Sequence, residues 1–336
     1  MTMLVTGAAG FIGSNFVRYW AEEHPEDRVV ALDLLTYAGN RPNLADVEDR
    51  ITFVQADIGD GARMEQIFAD EQVSTVVNFA AESHNSLAVV DPGRFFRTNA
   101  LGTQTLLEAA RRTDISRFHH VSTCEVYGDM ALDDPNPFTE ESPYRPRTPY
   151  NASKAAADHA VRAYFETFEL PITITNCSNN YGPYQFPEKV IPRFATLALD
   201  DEPLTLYAST QNKREWLHVM DHCRAIDLVL AEGRIGETYN VGSGVEANIA
   251  EIADLVLETL DKPMDRKVIV PDRPGHDRRY LLDSTKLRNE LGWKPEIEWD
   301  AGVRDTIRWY ADNRAWWEPL RDRAPVIEDA WAGSPQ

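Results

Sequence analysis

The chain has 336 residues, of which 43% are apolar and 26% are charged, and its formal net charge is −20. This composition is typical of a folded globular protein, and the length accommodates one large domain with a substantial core and a smaller lobe. The strongly negative charge excludes general binding to nucleic acid, which requires clustered positive charge.

The first half of the chain alternates short β-rich segments with longer helical ones. Strands are predicted at residues 3–5, 29–32, 52–55, 75–79 and 117–122. Helices are predicted at residues 13–23, 61–70, 94–112 and 149–168. Strands and helices that alternate in this way form a parallel sheet with helices on both faces. The sequence therefore predicts an α/β fold built on a doubly wound, Rossmann-type sheet.

The second half of the chain is less regular and indicates a smaller, interleaved lobe. Residues 172–176 are predicted to add a strand to the same sheet, residues 182–192 to leave it, and residues 216–232 to return to it. Helices of the lobe are predicted at residues 247–260, 284–291 and 299–313. We therefore assign residues 1–176 and a return segment at about 216–242 to the first domain. Residues 177–215 and 243–325 form the mixed α/β lobe.

A glycine-rich turn follows the first strand and opens the first helix. Gly7, Gly10 and Gly13 have the spacing GxxGxxG. Glycines at such a turn let the backbone approach a pyrophosphate, and the helix N-terminus supplies free N–H groups and the positive end of its dipole. Asp33 ends the second strand, where its carboxylate can bind a ribose 2′-hydroxyl and repel a 2′-phosphate. The pattern predicts that the first domain binds NAD rather than NADP.

Asp57 follows the third predicted strand, and two interpretations of it stay open. In one, its carboxylate contacts the adenine of the cofactor. In the other, it is the N-cap of the next helix, because Asp accepts hydrogen bonds from the first N–H groups of a helix.

The string YNASK at residues 150–154 is a second motif, and it indicates a catalytic site. Tyr150 and Lys154 are four residues apart and therefore share one face of the predicted helix. A phenol titrates near about 10, so we expect the Lys154 ammonium and an oxidised nicotinamide to lower its pKa and make it a base. Thr123, at the end of the preceding strand, has a hydroxyl that can share the proton of a substrate hydroxyl with Tyr150.

Five longer strings extend these motifs along nearly the whole chain. They are LLTYAGN (34–40), AAESH (80–84), NCSNNYGPY (176–184), FPEK (186–189) and DRPGHDRRY (272–280). With these strings the chain resembles the nucleotide-sugar dehydratases of the extended short-chain dehydrogenase family, above all the dTDP-glucose 4,6-dehydratases. The resemblance implies a hydro-lyase with tightly bound NAD, a homodimer paired through residues 94–112 and 149–168, and a role in antibiotic or polysaccharide biosynthesis.

The resemblance also assigns contacts to individual residues. Besides the glycines, Asp33 and Asp57, it implies that the cofactor is bound by Phe11, Ile12, Ile58, Ala80, Ala81, Asn99, Tyr150 and Lys154. It implies that a dTDP- or UDP-linked sugar is bound by Ser83, His84, Asn179, Lys189, Arg214, Asn240, Arg273, His276 and Tyr280. Arg214 and Arg273 are the arginines expected to hold the diphosphate, since guanidinium groups bind such anions through paired donors.

The reaction implied by the resemblance has three steps. Tyr150 removes the proton of the C4 hydroxyl while a hydride passes from C4 to NAD. Glu125 then takes the proton from C5, which the 4-ketone has acidified, while a neighbouring acid protonates the C6 hydroxyl, and water leaves. The hydride finally returns to C6, which gives a 4-keto-6-deoxy sugar.

The sequence departs from the family at two places, and both concern the steps at C5 and C6. The family has an Asp immediately before the Glu, where this chain has Cys124, and a Val-Asp-Arg-Ser string where residues 85–88 read NSLA. A thiol keeps its proton at neutral pH, and the neighbouring Glu125 carboxylate should hold it more firmly. Cys124 is therefore either a proton donor to the leaving hydroxyl or a small buried residue without chemistry.

These departures leave alternatives to the 4,6-dehydration open. The pair Cys124-Glu125 is similar to the pair in nucleotide-sugar 5,6-dehydratases, which return the hydride to C4 and leave an exocyclic alkene. UDP-sugar decarboxylases and 4-epimerases, which share the oxidation at C4, are further alternatives. A non-catalytic NAD-binding protein is a different class of function, and the intact Thr123, Tyr150 and Lys154 argue against it.

The three cysteines, Cys124, Cys177 and Cys223, have neither CxxC spacing nor an even number. The sequence therefore predicts no disulfide framework and no metal site, and a reducing compartment. No stretch is long and apolar enough to span a bilayer, and no basic region precedes the first apolar run. We expect a cytoplasmic protein without a membrane partner.

Overall fold

The computed structural model describes residues 1–113, 115–272, 275–321 and 323. The strands are β1 (Thr2–Thr6), β2 (Arg28–Asp33), β3 (Ile51–Gln55), β4 (Thr75–Asn78), β5 (Arg117–Thr123), β6 (Ile172–Cys177), β7 (Asn179–Tyr181), β8 (Leu204–Tyr207), β9 (Lys213–His218), β10 (Thr238–Val241), β11 (Glu246–Asn248) and β12 (Lys267–Val270). The helices are α1 (Phe11–Glu23), α2 (Gly61–Glu71), α3 (Asn85–Val90), α4 (Pro92–Phe95), α5 (Thr103–Arg112), α6 (Pro149–Phe168), α7 (Val190–Leu199), α8 (Val219–Glu232), α9 (Ile249–Thr259), α10 (Thr285–Leu291), α11 (Trp299–Asp312) and α12 (Arg314–Arg321).

Seven parallel strands form the main sheet in the order β10-β6-β5-β4-β1-β2-β3. The central residues of all these strands except the edge strand β3 are buried on both faces, as expected for a parallel sheet covered by helices on both sides. The chain builds outward from β1 to β3 and then returns to place β4 on the other side of β1. The predicted doubly wound α/β fold is confirmed.

Two apolar layers cover this sheet, and a third core lies in the lobe. On one face, α2, α5 and α6 contribute Phe68, Leu107 and Val161 to a core with the strands. On the other face, α1 and α8 contribute side chains that include Trp20 and Ile226. The lobe has its own core among α7, α9 and α11, and small sheets of β7, β9 and β11 and of β8 and β12 border it.

Three element boundaries differ from those expected. Residues 94–112 are not one helix, because a π-helical turn at Phe96–Gly102 separates α4 from α5. The segment 247–260 begins with a strand, since Asn248 and Glu251 form a capping box that starts α9 only at Ile249. Residues 216–218 end β9, which pairs with β7 and β11, so the return to the main sheet begins later, at α8.

Among the helices in the described part of the chain, none combines the length and the apolarity needed to span a bilayer. The three cysteines are all buried and free.

Buried Glu215 in β9 makes the stability of the protein depend on pH. Its carboxylate accepts hydrogen bonds from the N–H groups of Gly244 (2.6 Å) and Leu282 (3.0 Å), and burial nevertheless raises its pKa from 4.5 to about 7. The folded protein therefore holds a proton that the unfolded chain releases. The resulting stabilisation is complete below pH 4.5 and is lost as the pH rises through about 7.

We expect the Glu215→Gln variant to gain stability relative to the wild type as the pH rises from about 5 to about 8, by up to about 3 kcal/mol. The amide cannot ionise, so only the wild type has to bury a charge at the higher pH. Urea unfolding of both proteins at the two pH values measures the difference. A difference in unfolding free energy that does not change with pH would contradict the raised pKa.

Candidate functional site

A deep cleft of about 780 Å³ runs along the carboxyl ends of the main-sheet strands and continues into the lobe. The loops that follow β1, β2, β4, β5 and β6 form one wall, and α7, β8 and β9 form the other. The strand order reverses between β1 and β4 at this edge. Ligands of open α/β sheets bind at such a point, because the loops of neighbouring strands diverge there.

The glycine turn after β1 forms the floor of the cleft. Gly7 has a φ of 66°, and a Cβ on Gly13 would lie 2.2 Å from the carbonyl oxygen of Gly7. Gly10 is the N-cap of α1, whose first turn contains no acidic residue. The first N–H groups of α1 have no acceptor within the helix, and Phe11 and Ile12 of that turn line the cleft. The turn is therefore shaped for an anion held by backbone donors.

Asp33 lies at the end of β2 on the same wall, as expected. Its carboxylate accepts hydrogen bonds from the N–H groups of Ala9 (2.9 Å) and Leu35 (2.7 Å), which fix its orientation. Burial raises the pKa of Asp33, and these two backbone donors oppose the rise. Each carboxylate oxygen keeps a second lone pair for a hydroxyl donor, whereas a phosphate would be repelled.

Asp57 does not cap the following helix. The N-cap of α2 is Asp60, which accepts from the N–H group of Arg63, while Asp57 accepts from the N–H group of Gly59. The N-cap interpretation is therefore wrong, and Asp57 is exposed at the cleft. The same wall is lined by Ile58, Ala80 and Ala81.

Thr123, Tyr150 and Lys154 all line the middle of the cleft. Thr123 is the last residue of β5, and Tyr150 is in the first turn of α6, which Thr148 caps by accepting from the N–H group of Asn151. The hydroxyl of Thr123 lies close enough to the phenol of Tyr150 to lower its pKa, against the larger effect of burial. The strand end and the helix start therefore place two hydroxyl groups together, as the motifs predicted.

The groups around the Tyr150 phenol act on its pKa in different directions. Burial, and next the charge of Glu125, raise the pKa of Tyr150 well above its ordinary value, and the hydrogen bond with Thr123 opposes them. The Lys154 ammonium donates instead to the carbonyl oxygen of Val121, at 2.8 Å. The protein's own groups thus raise the pKa of the phenol, and its lowering by Lys154 together with an oxidised nicotinamide stays a prediction.

Glu125 faces the cleft from the 3-10 turn Cys124–Tyr127. Thr123 caps this turn by accepting from the N–H group of Glu125, at 3.3 Å. The side-chain amide of Asn85 donates to the Glu125 carboxylate at 3.3 Å and accepts from the hydroxyl of Thr148 at 3.4 Å. Asn85 is one of the residues at which the sequence was expected to depart from the family, and here it connects Glu125 to the start of α6.

Cys124 points away from the cleft. Its side chain is 1% exposed and packs with Val126, Ala155, Tyr280 and Leu282, and it is absent from the described cleft lining. Burial, and next the charge of Glu125, raise the pKa of its thiol well above the ordinary value, which confirms the firmly held proton. Since that proton does not face the cleft, the geometry favours the structural role of Cys124 over proton donation.

We expect the Cys124→Ala variant to keep its turnover within about tenfold of the wild type. Removal of a proton donor that acts in the reaction costs about 100-fold or more, whereas removal of one buried sulfur leaves the cleft intact. The rate of product formation at saturating substrate measures the difference. A loss of 100-fold or more in a folded Cys124→Ala protein would show that the thiol takes part in the chemistry.

Among the described residues at the lobe end of the cleft, Arg214 is a buried arginine. Arg214 donates to the carbonyl oxygens of Lys213 (2.7 Å) and Asp277 (2.8 Å), and its guanidinium lies 4.9 Å from the ring centroid of Tyr280. These contacts hold the cation in place at the cleft wall. The same end of the cleft is lined by Asn179, His276 and Tyr280.

The loop after β4 and the start of α7 meet at the opposite side. The ammonium of Lys189 donates to the carbonyl oxygen of Ser83 at 2.9 Å, and the Nε2 atom of His84 lies 3.4 Å from the carboxylate of Glu188. Tyr37 also donates to Glu188, at 2.9 Å. Ser83, His84 and Lys189 therefore line the cleft as expected, with Glu188 among them.

Two predicted contact residues lie behind the cleft. Asn99 is fully buried and bonds the backbone N–H and carbonyl groups of Glu82, which shapes the loop without lining the cleft. Asn240 is fully buried in β10 and bonds Phe138 and Glu140. Their predicted roles as direct contacts are corrected to supporting roles. The predicted Arg273 lies outside the described residues.

Several cleft residues were missed by the sequence analysis. Glu188 lies within the quoted FPEK string, which was the available signal, and Asn85 lies within the departure after His84. The others come from the lobe, where no motif marked them. The missed cleft residues include Asn85, Glu188, Arg193, Thr205 and Tyr207.

Comparison with known proteins agrees with this geometry. The family model described as GDP-mannose 4,6 dehydratase matches residues 4–306. A dTDP-glucose 4,6-dehydratase of Xanthomonas campestris pv. campestris is 48% identical over 97% of this chain and 98% of that protein. One of Mycobacterium tuberculosis is 49% identical over 96% of this chain and 97% of that protein.

A solved structure of the same kind superimposes closely. DesIV, a dTDP-glucose 4,6-dehydratase from Streptomyces venezuelae crystallised with NAD, has a TM-score of 0.92 and 48% identity over 95% of this chain and 100% of that one. The resemblance noted in the sequence is thereby confirmed. Matched over residues 4–306 and nearly half identical to relatives that it covers almost end to end, the chain belongs to the nucleotide-sugar dehydratase family of GDP-mannose 4,6 dehydratase and the dTDP-glucose 4,6-dehydratases.

Proposed function

We propose that this chain is an NAD-dependent hydro-lyase that converts dTDP-glucose into a 4-keto-6-deoxy sugar. The observation that carries the proposal is that Thr123, Glu125 and Tyr150 face one cleft whose floor is the glycine turn. This arrangement combines Tyr150, which can accept the proton of the C4 hydroxyl, with the carboxylate of Glu125, which can accept the proton of C5. Relatives named dTDP-glucose 4,6-dehydratase support the choice of substrate.

The glycine turn fits a dinucleotide. The positive φ of Gly7, and the 2.2 Å at which a Gly13 Cβ would meet the Gly7 carbonyl oxygen, require glycine at both positions of a tight turn that would hold a pyrophosphate by its backbone. Asp33 would bind the adenosine ribose, and its charge favours NAD over NADP. When bound, NAD supplies a hydride acceptor for C4 and later a hydride donor for C6.

In the first step the protein removes the proton from the hydroxyl oxygen at C4. Tyr150 accepts the proton of the C4 hydroxyl, and Thr123 shares that hydrogen bond. Because the protein's own groups raise the pKa of Tyr150, the phenolate needs cationic help, which oxidised NAD would supply when bound and to which Lys154, four residues further along the same helix, would add. The phenol is therefore a base mainly in the loaded enzyme.

In the second step the protein removes the proton from C5. Glu125 accepts the C5 proton, which the adjacent ketone has acidified, and passes a proton to the C6 hydroxyl, which then leaves as water. The Asn85 amide holds the carboxylate from the side at 3.3 Å. A carboxylate held in one orientation meets the C5 hydrogen without first losing rotational freedom.

The test is a product analysis with dTDP-glucose that carries deuterium at C4. We expect a 4-keto-6-deoxy product with deuterium at C6, formed without added reductant, as seen by mass and proton spectra. Deuterium back at C4 with an exocyclic alkene would replace the proposal by a 5,6-dehydratase. An intact hydroxymethyl group would indicate a 4-epimerase, and turnover of only a UDP-linked uronic acid would indicate a decarboxylase.

We also propose that the protein is a homodimer paired through α5, α6 and the π-helical turn before α5. Phe96 and Leu101 on that turn are 39% and 61% exposed, and Phe168 at the end of α6 is 48% exposed. Large apolar side chains exposed on neighbouring elements are typical of a contact surface. Light scattering should give twice the chain mass, and a monomer at micromolar concentration would contradict the pairing.

The proposed setting is the cytoplasm. Three free, buried cysteines support a reducing compartment, and a net charge of −20 argues against a nucleic-acid partner. Such a deoxysugar nucleotide would feed antibiotic or polysaccharide biosynthesis.

A further inference from the structure

A buried acidic residue lies behind Lys154 on the same helix. Tyr150, Lys154 and Asp158 are spaced four residues apart and therefore share one face of α6. All three are buried, and Asp158 is fully so. An isolated charge in such a place is strongly unfavourable, so the charges of Lys154 and Asp158 require partners.

The two oxygens of Asp158 are used differently. Its Oδ2 atom accepts hydrogen bonds from the hydroxyl groups of Ser122 and Tyr144, both at 2.9 Å. Its Oδ1 atom has no hydrogen bond within the described structure and lies 3.4 Å from the Nε2 atom of His120. This second oxygen therefore faces the imidazole and the lysine beyond it.

Hydrogen bonds determine the protonation of His120. The side-chain oxygen of Asn78 accepts from Thr6 at 2.6 Å, so its amide nitrogen is the donor that meets Nδ1 of His120 at 3.1 Å. The proton of the neutral ring is then on Nε2 and points toward Asp158. Burial, and next the charge of Lys154, lower the pKa of His120 to about 4, so the ring is neutral at neutral pH.

Lys154 completes the group. Its Nζ atom donates to the carbonyl oxygen of Val121 and lies 3.4 Å from Nε2 of His120. Burial lowers the pKa of Lys154, and the charge of Asp158 opposes that fall. For Asp158, burial raises the pKa, but the contacts with His120 and the charge of Lys154 outweigh it and leave the pKa below the ordinary value.

We propose that Asp158, with neutral His120 beside it, is a positioning residue that keeps Lys154 an ammonium next to Tyr150. The carboxylate does not touch the cleft and acts through the charge of Lys154. The inference rests on the proposed function, in which that ammonium assists Tyr150 and the cofactor. The triplet Tyr150, Lys154 and Asp158 is then a line of phenol, cation and anion along one helix face.

Among the described residues, a small number of titratable and polar groups face Lys154 and Asp158. Those facing Lys154 are His120 on β5, Asp158 on α6 and Cys177 on β6. Those facing Asp158 are His120, Ser122, Tyr127, Tyr144, Lys154 and Arg162. Arg162 donates to Tyr144 and is a second cation near Asp158, but it lies a further turn along α6, away from Tyr150.

The first test is the pH dependence of NAD binding by the Asp158→Asn variant. Without the carboxylate, Lys154 should lose its proton at lower pH, so we expect the alkaline fall in NAD affinity and in kcat/KM to move down by about one pH unit or more. Tyr144→Phe is the matched control, because it removes a hydrogen bond to Asp158 but leaves the charge, and its profile should stay in place. A folded Asp158→Asn protein with an unshifted profile would overturn the proposal.

The second test does not depend on activity. Lys154→Met leaves Asp158 as a buried anion without its cation, so adding Asp158→Asn should raise the melting temperature above that of Lys154→Met alone. If Asp158→Asn does not fold, recovery of a folded protein in the double variant supports the pairing. A double variant that is no more stable than Lys154→Met contradicts it. Failure of the wild type to form a dehydrated product would instead refute the proposed function. The comparison of the single and double variants would still be valid.

Discussion

The Tyr150→Phe variant is expected to lose turnover by about 100-fold to 10,000-fold, which is the usual effect of removing a proton-transfer group. Phenylalanine keeps the ring in its contact with Phe95, but no atom remains to accept the proton of the C4 hydroxyl. The rate of product formation with dTDP-glucose measures the loss. NAD binding should persist, because Asp33, the glycine turn and Lys154 are unchanged.

Tyr164→Phe is the matched control for this experiment. Tyr164 lies on the same helix and its hydroxyl accepts from Gln104 at 2.8 Å, outside the cleft. Replacement of the Tyr164 hydroxyl by hydrogen should therefore leave turnover unaffected. Wild-type turnover in Tyr150→Phe, with binding retained, would remove Tyr150 from the chemistry.

The Glu125→Gln variant is expected to lose dehydration by a similar factor, about 100-fold or more, while the oxidation at C4 continues. Glutamine preserves the size of the side chain but has no lone pair of comparable basicity for the C5 proton. Exchange of the C5 hydrogen with solvent deuterium measures this step directly. We expect exchange in the wild type and almost none in the variant.

Glu290→Gln is the control for the loss of a carboxylate. Glu290 bonds Arg234 and Tyr239 at the far edge of the main sheet, so its change should leave both exchange and turnover at the wild-type level. Unchanged exchange of the C5 hydrogen in Glu125→Gln would show that another group takes this proton. The Glu125 assignment would then have to be abandoned, although the role of Tyr150 would stand.

Asn85 and Cys124, the two positions at which the sequence was expected to depart from the family pattern, have different surroundings in the structure. Both positions lie near Glu125 in the sequence or in space. The Asn85 amide reaches the Glu125 carboxylate, whereas the Cys124 side chain turns into an apolar cluster. The sequence contained no information that separates these outcomes, because the direction of a side chain in a short 3-10 turn depends on what packs against it.

Local chemistry determined much of this protein from the sequence alone. The glycine spacing, Asp33 at a strand end, and Tyr150 four residues before Lys154 each depend on backbone periodicity, which holds wherever a strand or helix forms. The alternating apolar segments similarly determined the doubly wound sheet. Helix boundaries were predicted less well, since no local pattern in the sequence marks the π-helical turn at Phe96–Gly102.

Only the tertiary structure decided which polar groups meet across elements. The pairing of Asp158 with His120, the contact of Asn85 with Glu125, and the burial of Asn99 and Asn240 all join residues distant in the sequence. The pKa of Tyr150 also rises, because burial and the charge of Glu125 outweigh the hydrogen bond with Thr123. Desolvation and long-range contacts depend on the whole packed chain, and no local pattern records them.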